Sequence, residues 1–259
     1  MTAVLRDGAL WHVDAEVALE VAAHEALIRQ TYRDSVGVLT WCVGMTNATG
    51  HTVERYIGKP QTLQHCMNIY AWALENYADG VREAFKGLKI TKGQFAAALS
   101  FHWNTGAIKS ATWVRHFRAG DTAAACKAIM NWKTPPEIEG RRKKERALFF
   151  DGVWSNNGTM TEFTRLTSRM TPDWSSGKRI NVSAELAKAF AGTIKPPVLD
   201  TAPKPDNKPL APTLTPKPEP INAPDPDPVP SAPVPDGQGD RQTLASLIAA
   251  LFRAIFRRT

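Results

Sequence analysis

Cysteine is scarce in this sequence, with Cys42, Cys66 and Cys126 as its three thiols. Three are too few for a staple framework and none stands in a Cys-x-x-Cys pair, so a disulfide-built scaffold and a zinc site are both excluded, and no metal or cofactor is expected. Long apolar runs are missing as well: no stretch reaches the roughly 18 residues needed to span a bilayer. The segment from Met1 to His12 carries Arg6, Asp7 and His12 where a signal peptide needs an apolar run, so the expectation is synthesis in the cytoplasm without an export signal. Proline is rare through most of the chain, with four residues before Pro196 and fifteen between Pro196 and Pro235. The 259 residues are therefore two materials, a body rich enough in apolar residues to bury a core and a segment that cannot bury one.

Charge divides along the same line. Residues 196–240 hold three lysines against seven acids, residues 241–259 hold four arginines, and the first 195 residues carry the whole formal charge of +7. A basic body suits a polyanionic partner: nucleic acid, an anionic membrane or the bacterial cell wall. No finger, recognition helix or aromatic-interleaved strand motif accompanies the charge, so nucleic acid is not expected.

Along the chain, Val17, Val21, Ile28 and Tyr32 recur near the helical period, and Asp14 suits an N-cap, so one helix is predicted from Asp14 to Tyr32. On that helix Glu25 lies at the edge of the apolar stripe, facing a cleft wall, while Glu16, Glu20 and Gln30 take the solvent face. Val38 to Val43 is rich in β-branched and aromatic residues and precedes the turn Asn47-Ala48-Thr49-Gly50, which predicts a short hairpin or small sheet. Helices are then predicted over Thr62–Phe85, Gly93–Trp103, Ala107–Arg118, Thr122–Trp132 and Ile138–Phe150, punctuated by Pro60, Gly106, Gly120 and Pro135-Pro136. Residues 156–195 read as an extension packed on or following the body, with Met160–Leu166 running along it and a short helix over Ala184–Phe190.

The Pro-rich residues 196–240 predict an extended, disordered spacer with a reach of about 120 Å at roughly 3.1 Å per residue. In the last segment Leu244, Leu247, Ile248, Leu251, Phe252, Ile255 and Phe256 form one face of a helix, with Arg253 and Arg257 opposite. Such a helix would be about 20 Å long, too short to cross a bilayer of roughly 30 Å, so residues 241–259 are expected to lie on an anionic membrane or envelope lipid, or to bind a partner. The fold class expected is α+β and mostly helical, divided into a body over 1–155, the extension, the spacer and the basic amphipathic helix.

The chemistry concentrates in Glu25, Asp34 and Thr40, spaced Glu-x8-Asp-x5-Thr. Cleaving a glycosidic bond takes one protonated carboxyl to donate to the leaving oxygen and one ionised carboxylate to support the attacking water. Glu25 beside apolar side chains is expected to hold its proton, Asp34 among turn residues to stay charged, and the Thr40 hydroxyl to hold water.

At His24-Glu25-Ala26-Leu27, at Tyr32-Arg33-Asp34-Ser35-Val36-Gly37-Val38-Leu39-Thr40 and at Val43-Gly44 the sequence resembles the phage-type lysozymes, the endolysins of glycoside hydrolase family 24. Ser100 to Ala107, Ala119-Gly120-Asp121 and Gly140 to Phe149 resemble later blocks of the same family, so the likeness runs over about 14–152. The resemblance implies a lysozyme-like body that hydrolyses the β-1,4 bond between N-acetylmuramic acid and N-acetylglucosamine in peptidoglycan. Glu25 would be the general acid, Asp34 the residue that stabilises charge and positions water, and Thr40 the residue that orients that water. It implies an arginine at Arg141 that pairs with the catalytic glutamate, the other reading being a solvated helix residue in the basic run Arg141–Lys144. Asn104 matches a polar residue lining the cleft, a candidate for sugar contact. The family's Thr-x-Gly-x-Gly-His is altered here, with Cys42 at the first glycine and Met45 at the histidine. Some relatives pair a cysteine at that place with one in the next helix, which implies a Cys42–Cys66 disulfide, the alternative being two buried thiols.

The resemblance further implies a monomer that reaches the periplasmic wall after another protein opens the inner membrane. Two other readings stay open: a lytic transglycosylase, against which Asp34 and Thr40 argue, and a membrane-active, wall-binding protein without catalysis.

Overall fold

The computed structural model describes residues 4–34, 37–134 and 136–191. The spacer expected at 196–240 and the amphipathic helix expected at 241–259 lie outside them.

Asp14 caps the first helix as its sequence suggests, its Oδ1 accepting the Val17 N–H at 3.0 Å. That helix, α1 (Ala15–Ala22), is much shorter than predicted, and residues Ala26–Arg33 form a strand. The first strand, β1 (Arg6–Asp7), precedes α1, so Ala26–Arg33 is β2. The misreading has a simple cause. A four-residue spacing such as Ile28 to Tyr32 puts two side chains on one face of a strand as well as on one face of a helix. The period of two decides the matter: Ala26, Ile28 and Tyr32 pack in a small cluster with Phe163, while Leu27 enters the main core.

β2 is held on both edges. It pairs antiparallel with β3 (Leu39–Cys42), Ile28 opposite Cys42 and Tyr32 opposite Thr40, with an irregularity between the two pairs. On its other edge it pairs parallel with β5 (Thr159–Phe163), which pairs antiparallel with β6 (Gly177–Asn181). The sheet order is β3-β2-β5-β6, and a separate two-stranded pair joins β1 to β4 (Lys89–Ile90). The extension after residue 155 thus widens the sheet that carries the front of the site.

The helices follow the sequence closely. α2 (Leu63–Ala84) starts behind Thr62, whose hydroxyl accepts the His65 N–H, and α3 (Lys92–Thr105) opens with a capping box of Thr91 and Gln94. α4 (Thr112–Arg118) begins five residues later than Ala107 because the chain first turns, with the Ser110 and Ala111 amides both donating to the Ala107 carbonyl. α5 (Thr122–Ala128) tightens into a 3-10 turn over Ile129–Trp132, and α6 (Glu139–Asp151) follows. α3 runs through the centre of the body, buried from Phe95 to Phe101, and packs on α6, α1 and α2. α7 (Ser183–Ala191) closes the described chain against α2 and α1. No helix among the described residues is long and apolar enough to cross a membrane.

Candidate active site

With α1 ending at Ala22, Glu25 stands in the turn between α1 and β2 and not on a helix face. The turn is fixed by the His24 N–H to the Val21 carbonyl at 3.2 Å and the Glu25 N–H to the Ala22 carbonyl at 3.0 Å. The Glu25 side chain is 17% exposed, and its Oε1 accepts Arg141 Nη1 at 2.6 Å. Burial raises its proton affinity above the ordinary carboxylate value; Arg141 opposes this and Glu145 adds to it. Its Oε2 faces the turn after β3, where a Cβ on Gly44 would stand 3.8 Å away.

Asp34 follows β2 directly and closes a tight loop. Its N–H donates to the Val38 carbonyl at 2.9 Å, and its Oδ1 accepts the Val38 N–H at 2.9 Å. Gly37, at φ +84°, supplies the left-handed residue this loop needs. Thr40 is buried on β3 opposite Tyr32, and its hydroxyl donates to the same Val38 carbonyl at 3.2 Å. Asp34 and Thr40 are therefore tied through one peptide group. Tyr32 links this pair to Glu25: burial first, then the charges of Asp34 and Glu25, raise its hydroxyl above the ordinary tyrosine value. Glu25 and Asp34 thus flank β2 at its two ends, and Thr40 lies across from Tyr32 on β3.

Arg141 lies on α6 and is buried, so the solvated reading of this residue does not hold. Its Nε donates to Glu145 Oε1 at 2.8 Å and its Nη2 to the Ser100 carbonyl at 2.9 Å. Asn104 is half-buried at the end of α3, and its Oδ1 accepts Arg142 Nη2 at 2.8 Å. Cys42 and Cys66 are neighbouring buried thiols, with Cys42 Sγ donating to the Cys66 carbonyl at 3.4 Å. Cys42 has φ +55°, the left-handed backbone a glycine would adopt without strain. Met45, which stands in place of the histidine in the family's pattern, is fully buried, and its backbone exchanges both hydrogen bonds with Trp41.

Four residues that matter here were not singled out from the sequence. Glu145, Arg142 and Ser100 complete the surroundings of Arg141; they lie inside the family-like blocks at Ser100–Ala107 and Gly140–Phe149 but were given no role there, and the i, i+4 spacing of Arg141 and Glu145 was a further signal. Glu20, assigned to solvent, is buried, because the loop after α6 folds over it and Ser155 and Asn156 donate to its carboxylate. The turn beyond β5 also reaches the site: the Arg33 N–H, one residue before Asp34, donates to the Met170 carbonyl at 2.8 Å. A separate recess lined by Arg29, Gln30, Glu162 and Phe163 contains none of these residues.

The phage lysozyme family model matches residues 22–145, the span that holds Glu25, Asp34, Thr40, Asn104 and Arg141. The candidate site residues thus all fall inside the span that matches the phage lysozymes. The chain is similar to an endolysin of Bacillus phage B103, 28% identical over 128 residues that make up 47% of this chain and 48% of that protein. It therefore spans about half the length of that curated relative. Among solved structures, the endolysin from Escherichia coli O157:H7 phage FAHEc1 aligns with a TM-score of 0.51 at 22% identity, covering 57% of this chain and 98% of that one. That likeness gives the domain its lysozyme-like fold, α+β and mostly helical with a small sheet at the front.

Proposed function

We propose that this domain is an endolysin's muramidase, hydrolysing the β-1,4 bond between N-acetylmuramic acid and N-acetylglucosamine in peptidoglycan. The observation that carries the reading is the contrast between its two carboxyl groups. Glu25 is largely buried with a raised proton affinity, while Asp34 sits in a loop whose geometry ties it to Thr40. One carboxyl suited to giving a proton, and a second held in a loop beside a hydroxyl that can orient water, are the groups this hydrolysis needs.

In the proposed reaction Glu25 transfers its proton to the glycosidic oxygen as the bond from the anomeric carbon to that oxygen breaks. Water then adds its oxygen to the anomeric carbon. Asp34 stabilises the positive charge that develops there, positions the water and takes its proton, with the Thr40 hydroxyl orienting that water. Asn104 lines the cleft through its amide, its carbonyl oxygen being held by Arg142. The net charge of +7 supports attraction to an anionic wall, and the arginines and apolar face of residues 241–259 support a further contact with anionic lipid. Deleting 241–259 tests that contact: the truncated chain should clear purified wall normally but kill intact cells less well.

The deciding experiment is turbidity loss of purified wall. Glu25→Gln and Asp34→Asn should each lose about a hundredfold or more of the rate, and a Glu25→Gln variant as fast as the parent would end the assignment. Mass spectrometry of the products separates hydrolysis, which adds one water, from transglycosylation, which adds none.

A further inference from the structure

Behind Glu25 four ionisable side chains run in a line of alternating sign: Glu25, Arg141, Glu145 and Arg142. Arg141 is shared between two carboxylates, giving Nη1 to Glu25 Oε1 at 2.6 Å and Nε to Glu145 Oε1 at 2.8 Å. Glu145 in turn receives Arg142 Nη1 on its Oε2 and the Ser100 hydroxyl on its Oε1, the latter at 2.6 Å. Ser100 also accepts from Arg141, through its carbonyl at 2.9 Å and its Oγ at 3.1 Å. Arg142 is fixed by the Trp132 carbonyl at 3.1 Å and by Asn104, and lies over the Phe101 ring at 4.6 Å. Glu145 is 2% exposed, Arg141 3% and Arg142 0%, so none of the three can turn to water for compensation.

The bookkeeping of charge gives Glu145 a task. With Glu25 ionised the four groups sum to zero, and with Glu25 protonated one positive charge remains. A lone Arg141 beside Glu25 would pull its proton off, as an arginine within hydrogen-bond reach does to any carboxyl. Glu145 divides that pull.

We propose that Glu145 is a positioning residue that fixes the Arg141 guanidinium against Glu25 and takes up part of its charge, so that Glu25 keeps its proton for the leaving oxygen. This rests on the reading of Glu25 as the acid. The other groups facing Glu25 do not supply that function. Tyr32 of β2 and Tyr70 of α2 are buried phenols held protonated, Asp34 follows β2 in its own loop, and Cys42 of β3 is a thiol whose burial keeps it protonated. His24, in the same turn as Glu25, is held neutral by burial and by Arg141, Lys144 and Arg142.

The test is the alkaline limb of the pH–rate profile on purified wall, together with titration of a 13C-labelled Glu25 carboxyl in the full chain. Glu145→Gln keeps the shape and removes the charge, so both readouts should move to lower pH by about one unit. Ser100→Ala removes a neutral donor from Glu145 and leaves its charge to Arg141 undivided, so both should move to higher pH. A purely structural role would lower the rate equally at every pH and leave the carboxyl titration where it was. That result in a folded Glu145→Gln overturns the inference; if Glu145→Gln does not fold, an unmoved titration in Ser100→Ala overturns it instead. Failure of the underlying reading is distinct, since it would be seen as full activity in Glu25→Gln whatever the Glu145 variants do.

Discussion

Two carboxylates, Glu20 buried and Glu25 half-buried, stand five residues apart on either side of the end of α1, and they are satisfied in opposite ways. Glu20 is surrounded by neutral donors: the Ser155 hydroxyl at 2.6 Å, the Asn156 side-chain amide at 2.9 Å, and the backbone amides of Ser155 and Asn156 at 3.1 and 3.0 Å. Glu25 relies on one cation, Arg141, whose charge it shares with Glu145. A carboxylate saturated by fixed dipoles is a fastener, here holding the start of the extension onto α1 so that β5 can join β2. A carboxylate balanced between desolvation and a divided positive charge is near the point of exchanging its proton. The difference lies in the partners, with Glu25 also the more exposed of the two.

The largest effect expected from breaking this contrast is on Glu25. Glu25→Gln should lose activity by a factor of about a hundred to ten thousand, equivalent to roughly 3 to 5 kcal/mol of transition-state stabilisation. Its melting temperature should stay near the parent's, because the amide keeps the shape and still accepts from Arg141. Glu20→Ala should do the reverse. Leaving several buried donors without an acceptor costs about 3 kcal/mol, a fall in melting temperature of roughly 6 to 12 °C, with activity at low temperature largely kept. Calorimetry and wall clearance on the same two variants check both halves, and equal losses of activity would erase the distinction.

The pH response sharpens the same contrast with a smaller effect. Because the proton affinity of Glu25 is raised by burial, the acid should remain protonated above the ordinary carboxylate range, and activity should fall as pH rises through its titration. The sign for stability is the same: a carboxyl with a raised native pKa contributes stability below its unfolded value and loses it as pH rises through the native one. Glu25→Gln should therefore flatten the alkaline decline of the melting temperature. His51 works from the other side. Burial, with Arg55 and His65, lowers it to about 4, so it favours the fold above the ordinary histidine value and ceases to as pH falls through about 4. A His51→Gln variant with an unchanged acid transition would remove His51 from that account.

How far the sequence carried depended on whether the deciding contacts were local. The start of α2 was legible because its signals, Pro60 and the Thr62 cap, belong to the chain itself. The Glu25, Asp34 and Thr40 spacing was legible because one strand, a five-residue loop and the start of a second strand carry all three within sixteen positions. The fate of Glu20 was not, since its partners are 135 residues away and its place on α1 suits solvent equally well. The same remoteness in sequence hid the inner place of β2: its partner β5 comes more than 120 residues later in the chain, after all the helices of the body but α7. Glu145 was in plain view beside Arg141, but an i, i+4 pair does not reveal whether it faces water or another carboxylate.

The smallest effect expected concerns the backbone under Glu25, where β3 ends at Cys42 with φ +55° and Gly44 follows with φ +75°. A side chain at a left-handed position costs roughly 1 kcal/mol or more that glycine does not incur, while the thiol contributes packing in a fully buried site. Comparing Cys42→Gly with Cys42→Ala separates the two, because both lose the sulfur and only one keeps the strain. Cys42→Gly should be the more stable variant by about 1 kcal/mol in denaturant unfolding. Both should clear wall at similar rates, since neither touches Arg141 or the Val38 peptide that joins Asp34 to Thr40. An alanine variant as stable as the glycine one would mean that this turn carries no backbone strain, and that the cysteine is there for its packing alone.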